Sequence, residues 1–146
     1  MNITGNLTKN FTIEDYGINQ TGTVKLTAEA VKHAIMLQEF RTWLGRPMVV
    51  HAWYRTVAYN KSVGGSPTSS HLRGVATDWH TNKTIDQAAF IKYAKKWKSI
   101  CKKHGVVGEA GLYEWGMHLG SHVKYSDKFY HWRTVNGKQV NNPFKI

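Results

Sequence analysis

The stretch Ser69-Ser70-His71-Leu72-Arg73-Gly74-Val75-Ala76-Thr77-Asp78-Trp79-His80 does most to limit what this chain can become. Its second half alternates as a strand does, with Val75, Thr77 and Trp79 on one face and Ala76, Asp78 and His80 on the other. His71 and Asp78 are metal-ligand candidates separated mostly by small residues, and His80 is a possible further donor. The chain has only nine Asp and Glu to place, so an Asp seven positions after a His in this setting is informative.

A catalytic zinc takes three protein ligands and keeps one position open for water. His71 and Asp78 would supply two. On one strand face Asp78 and His80 stand about 6–7 Å apart, from a rise of roughly 3.3 Å per residue. The natural donors from elsewhere are His118 and His122 in the C-terminal strands, with His80 as a rival inside the stretch. Eight histidines are present, so spacing alone does not separate a metal site from ordinary loop and core histidines.

A length of 146 residues suits one domain with an ordinary core. Hydrophobic content of 41% and only three prolines argue for a globular chain. The longest apolar runs, such as Met48-Val49-Val50, are too short to span a bilayer. Met1-Asn2-Ile3-Thr4 lacks the basic start and apolar block of a secretory signal, and the Asn-x-Ser/Thr triplets, Asn2 among them, are read as compositional. A single cysteine, Cys101, excludes an internal disulfide and is assigned to core packing. The net charge of +11 favours a polyanionic partner, whether nucleic acid, anionic cell wall or membrane surface. The clusters Lys92-Lys95-Lys96-Lys98 and Lys102-Lys103 read as a solvated helix face, and no nucleic-acid motif accompanies them.

Along the chain, residues 1–24 suggest an irregular arm packed on the domain, with a short turn at Ile13–Tyr16. A mostly buried helix is expected from Thr27, its N-cap, to Leu44, closed by Gly45 and Pro47. Pro47–Trp53 and Gly74–Trp79 read as strands. The capping-box pattern Thr84-Ile85-Asp86-Gln87 opens a second helix to about His104, with Phe90, Tyr93, Ala94, Trp97, Ile100 and Cys101 inward. Val106–His122 and Lys124–Val135 look like strands with turns at Gly108, Gly111, Gly120 and Asn136-Gly137. Without a strict βαβ rhythm, α+β is the expected class.

Ser69-x-His71-x-x-Gly74-x-Ala76-x-Asp78 resembles the signature of the zinc D-Ala-D-Ala carboxypeptidase family, which includes phage L-alanyl-D-glutamate endopeptidases. Tyr54-Arg55 with Asn60 and Val63-Gly64-Gly65, the opening Leu7–Thr12, and Gly111-Leu112-Tyr113 followed by His118 are similar to further family segments. The resemblance implies a small antiparallel sheet with flanking helices, of the hedgehog and D-Ala-D-Ala metallopeptidase type. It implies Zn2+ held by His71, Asp78 and His118, with Ser69 and Arg55 binding a peptidoglycan stem peptide and Arg55 also polarising the scissile carbonyl. It further implies a phage lysin that leaves the host cytoplasm to act at the cell wall, monomeric, with no nucleic-acid partner and no membrane span.

The expected base is Glu114, with Glu109 in reserve. The family commonly has an acid three residues before the third ligand, where this chain has Trp115. In an extended strand Glu114 and His118 stand roughly 13 Å apart, so a bulge or turn at Gly116 would be needed to join them. Gly120 replaces the family's usual Asp two residues after His118 and removes a possible partner for that histidine. These departures motivate a second reading, a catalytically inactive peptidoglycan-binding or virion-structural protein of the same fold. His33, His51 and His104 are assigned structural roles, and His122 and His131 surface or packing roles.

Overall fold

The computed structural model describes residues 5–20, 22–122 and 127–146. Two long helices form where expected, each for a local reason. Helix α2 spans Ala28–Leu44; the Thr27 hydroxyl accepts the Ala30 N–H at 3.0 Å. Gly45 ends it in the left-handed conformation at φ 66°. Helix α4 spans Gln87–Lys103, and its cap lies two residues beyond the Thr84 expected from sequence. Asp86 Oδ2's partner oxygen, Oδ1, accepts the Ala89 N–H at 2.8 Å, and its negative charge also suits the helix N-terminus. Two short helices precede these helices' strands: α1 at Ile13–Tyr16 and α3 at Val57–Ser62.

Among the described residues there are six strands, β1 Val49–Ala52, β2 Ala76–His80, β3 Glu109–Leu112, β4 Met117–Gly120, β5 Tyr130–Val135 and β6 Lys138–Asn141. They form one sheet in the order β1-β2-β4-β3-β5-β6, antiparallel except between β3 and β5. The fold is therefore α+β with a mostly antiparallel sheet. The stretch expected as one strand from Val106 is broken by a turn closed by the Tyr113 N–H on the Gly116 carbonyl at 2.9 Å. Gly111 and Gly120, expected in turns, are strand residues. The Asn136-Gly137 turn, with both residues at positive φ, leads into β6, a strand not foreseen. The Lys124 start of the expected last strand lies outside the described residues, as do Met1–Thr4.

Helices α2 and α4 cover one face of the sheet. His33 of α2 reaches Thr77 of β2 at 3.0 Å, Phe40 packs edge-on to Trp79, and the Trp97 indole of α4 donates to the Gly120 carbonyl at 2.8 Å. Phe11 and Tyr16 of the N-terminal arm are buried against Trp53, as the expected packed arm requires. The stripe of α2 is narrower than its composition suggests: Val31 and Ile35 face solvent. Among the described residues no helix is long and apolar enough to cross a membrane.

Pairing across the sheet fixes what shares the other face. Asp78 lies opposite His118, His118 opposite Gly111, and Gly111 opposite Trp132, while Glu109 lies opposite Gly120. Directly paired residues project to the same side. The face away from α2 and α4 thus carries an acid, an imidazole, a second acid and an indole in adjoining positions.

Candidate metal centre

His71 is presented by a 3-10 turn, Ser70–Arg73, rather than by a strand. The Ser69 hydroxyl caps that turn by accepting the His71 N–H at 3.2 Å. Gly74 closes it at φ 72°, where a Cβ would come within 2.4 Å of the Tyr16 hydroxyl, so only glycine fits. The chain can then turn directly into β2 and deliver Asp78 beside His71.

The three expected ligands come together. His71, Asp78 and His118 are all buried, and one ligand atom from each lies within 4.8 Å of the others. His71 Nε2 stands 3.1 Å from Asp78 Oδ2, and His118 Nδ1 stands 2.8 Å from Asp78 Oδ1. The two imidazole rings are nearly perpendicular, at 80°, with centroids 5.2 Å apart.

The outer nitrogens are also engaged. His71 Nδ1 lies 2.7 Å from the Trp53 carbonyl, which can only accept, so Nδ1 carries a proton and Nε2 is the nitrogen turned towards Asp78. His118 Nε2 lies 2.9 Å from Glu109 Oε1. Imidazoles that bind metal are typically held in this way, one nitrogen on a carbonyl or carboxylate and the other free for the ion. Two imidazole nitrogens and a carboxylate are a donor set that suits zinc and leaves a coordination position open. The residues fit the metal.

Electrostatics agree with a centre built around negative charge. Burial pushes the Asp78 carboxyl up, but the His71 charge and the His118 hydrogen bond outweigh it and hold it well below the usual carboxylate range. For His118, burial pulls the imidazole down, but hydrogen bonds to Asp78 and Glu109 raise it to about 9. Without a metal the cluster therefore holds a proton between two carboxylates. Arg55 borders it, with Nη2 3.4 Å from Asp78 Oδ2 and Nη1 3.3 Å from Asn60 Oδ1.

Glu114 is not brought to the cluster. It is exposed in the β3–β4 turn and lines a cavity of about 300 Å3 with His80, Asn82 and Lys83. The Gly116 turn does form, and Glu114 stays exposed within it. Glu109 supplies the carboxylate, and Gly120 explains how. A Cβ there would lie 2.7 Å from Glu109 Oε1, so the missing side chain is the space that Glu109 occupies. The partner that Gly120 removes by its identity is thus replaced from the neighbouring strand. His80 pairs with His51 through ring nitrogens and stays outside the cluster. His131 packs on Phe144 and accepts its N–H at 3.0 Å, a structural role as expected.

Trp132, offered by the sequence with Trp79 and Trp115 only as a secondary wall of a substrate groove, packs its ring 4.9 Å from His118. The signal lay in Gly111, whose missing side chain admits the indole: a Cβ there would meet the Trp132 ring at 2.3 Å.

An α+β fold that carries a buried His–Asp–His cluster on the open face of its sheet has the framework of a single-centre metallohydrolase. The sequence model of the Peptidase M15 family matches residues 6–118, most of the chain, and the protein belongs to that family of metallopeptidases, which typically depend on zinc. A comparison with curated proteins finds no match.

Proposed function

We propose that the protein is a zinc-dependent peptidase that hydrolyses stem peptides of bacterial peptidoglycan, as a carboxypeptidase or an endopeptidase. We further propose that it serves as a phage lysin, a single domain acting as a monomer at the cell wall after release from the host cytoplasm. The observation that carries the reading is the buried cluster itself, with both imidazoles oriented by acceptors on their outer nitrogens. A zinc ion held by His71, Asp78 and His118 would supply a Lewis acid and bring the pKa of a bound water towards neutrality.

The chain's own groups do the rest. Trp53 and Glu109 hold the protons on His71 Nδ1 and His118 Nε2, fixing which nitrogen each ring presents. Glu109, named in reserve to Glu114 as the base, thereby orients a ligand histidine, and we propose it as the nearest carboxylate to serve as that base. Arg55 is anchored through its backbone N–H on the His71 carbonyl at 3.0 Å. Its Nε is buried and, among the described residues, has no hydrogen-bond partner, which leaves a donor for a substrate carboxylate or carbonyl. Gly65 makes room for the Asn60 amide that steadies Arg55, since a Cβ there would sit 2.0 Å from Asn60 Oδ1. Ser69, besides capping the turn, lines a cavity of about 390 Å3 together with Pro67, Leu72 and Arg73. The net charge of +11 favours approach to an anionic envelope.

Purified peptidoglycan incubated with the zinc-loaded protein and analysed by mass spectrometry tests the reading and identifies the bond. New amine ends that vanish with a chelator and in His71→Ala are expected. A protein without zinc, or lysis unchanged in His71→Ala, would refute it. The exposure of Glu114 favours one other reading, a non-catalytic wall-binding or virion-structural protein of the same fold. That protein would bind wall fragments or zinc and release no amine ends.

A further inference from the structure

The histidines of this protein differ in what their ring nitrogens meet. His33 takes hydroxyls, His71 a carbonyl and a carboxylate, His118 two carboxylates, and His131 a backbone amide. His51 and His80 meet each other. His51 Nε2 faces His80 Nδ1 within hydrogen-bonding reach, with ring centroids 4.5 Å apart. Among the described residues neither ring is hydrogen-bonded to any other group.

The backbone sets this pair up. Strand β1 is the outer strand of the sheet, and its register on β2 runs from Val50–Trp79 to Ala52–Asp78, which makes His51 the extra residue of a bulge. A bulge re-aims a side chain, and here His51 comes to lie beside His80. His80 follows Asp78 by two residues, so it shares the open face and stands roughly 6–7 Å further along β2. Trp115 packs on His51 with ring centroids 5.0 Å apart and helps to hold that ring in place. His51 is exposed, and the half-buried His80 lines the cavity of about 300 Å3 that Glu114 and Trp115 share, so an ion reaches the pair from solvent.

One shared proton joins the two rings as they stand. Nitrogens that converge in this way at an accessible edge also form a chelate: a borderline divalent ion takes a lone pair from each ring at about 2.0–2.1 Å. The shared proton then moves to the outer nitrogen of the ring that carries it, and both imidazoles stay neutral. A donor set of two imidazoles without a carboxylate suits zinc, nickel or copper and not calcium or magnesium.

We propose that His51 Nε2 and His80 Nδ1 form a second metal site, a bis-imidazole chelate for Zn2+, Ni2+ or Cu2+, separate from the His71–Asp78–His118 cluster. Two protein ligands in place of three, at an exposed position, make its ion weaker bound and exchangeable, with water in the remaining positions. The site uses none of the cluster's residues and goes beyond the peptidase reading.

Zinc titrated calorimetrically into the metal-free protein tests it. Two phases are expected, a tight first equivalent and a weaker second. His51→Gln and His80→Asn should each keep the first phase and weaken the second by at least about tenfold, the least that a change around a metal ligand costs. His71→Ala should do the reverse. In the wild type itself, Ni2+ added to the zinc-loaded protein should broaden the ring-proton resonances of His51 and His80 before those of His104 and His131. A single zinc phase in the wild type, or a weak phase that survives in both variants, overturns the site and leaves the pair a hydrogen bond alone. Nickel broadening that begins at His104 or His131 overturns it too. A second phase in a protein that cuts no peptide supports this site while the peptidase reading falls.

Discussion

His33 and His118 are both enclosed in this protein, on opposite faces of the same strands, and they are driven in opposite directions. Burial, aided by the positive charges of His118 and His71, lowers His33 to about 3, whereas carboxylate partners raise His118 to about 9. The difference is in what each ring meets. His33 sits between α2 and the sheet, hydrogen-bonded to the hydroxyls of Ser121 at 2.8 Å and Thr77 at 3.0 Å, with Trp53 and Trp97 edge-on around it. Hydroxyls satisfy a neutral imidazole but carry no negative charge to offset the burial of a charged one. His118 meets Asp78 and Glu109 instead. Equal burial therefore makes one histidine a structural link and leaves the other a candidate metal ligand; the carboxylates decide.

Removing the central carboxylate should break the contrast most severely. Asp78→Asn keeps the shape but takes the charge from between the two imidazoles. Zinc measured by atomic absorption after gel filtration should fall from one equivalent towards none, and hydrolysis should drop by more than about a hundredfold. A variant that retains zinc and activity would show that Asp78 is not a ligand.

The outer carboxylate comes next. Glu109→Gln can still meet His118 Nε2 but no longer with a charge, and zinc affinity should weaken by about ten- to a hundredfold. Glu114→Gln is the control: an exposed residue away from the cluster should change affinity and rate by no more than about twofold. Competition with a chromogenic chelator measures both. The reverse ranking would restore Glu114 to the centre and remove Glu109 from it.

The two histidines also predict the pH dependence of the metal-free protein. His33 has a folded pKa below its unfolded value near 6.5, so the stability it contributes is present above that value and is lost as pH falls towards about 3. His118 has a folded pKa above its unfolded value, so its contribution is full below about 6.5 and is lost as pH rises through about 9. Thermal midpoints of chelator-treated protein between pH 4 and 10 should therefore decline on both sides of neutrality. Zinc must displace the His118 proton, so its affinity should rise with pH up to about 9, and the loaded protein should lose the alkaline decline. An alkaline limb that survives zinc loading would show that His118 keeps its proton and does not ligate.

The His71–Asp78 half of the candidate cluster was legible in the sequence because His71, Gly74 and Asp78 lie within one turn and one strand, whereas His118 was singled out only by the family resemblance. Local chemistry alone places those three residues, and the same holds for the Thr27 and Gly45 ends of α2. Glu109 was harder to read. It lies nine residues before His118, and only the register of β3 on β4, two positions past the Asp78–His118 pair, makes it that ring's neighbour. Trp132 depends on a parallel pairing of β3 with β5 that no periodicity encodes. The cap at Asp86 in place of Thr84 was a choice between two good N-caps two residues apart, settled by where Ile85 and Phe90 could be buried. Glycines misled most: Gly111 and Gly120 read as turns because glycine usually marks one, while here each vacates space on a strand for a neighbour's side chain.

That last point yields the smallest effect and the finest test of the contrast between the faces. Gly120→Ala would bring a Cβ within 2.5 Å of Glu109 Cγ and 2.7 Å of Oε1. Glu109 is a flexible side chain with solvent beside it, so the strand should survive and the carboxylate should swing away. Nothing on the His33 side is touched by the new methyl, so the acid limb of the stability profile should stay where it was. Zinc affinity should fall about three- to tenfold, less than in Glu109→Gln because a displaced carboxylate still acts through space. In the double variant Gly120→Ala, Glu109→Gln the two losses should not add, since both act on one hydrogen bond. Additive losses would mean that Gly120 matters to the centre by some route other than the room it leaves for Glu109.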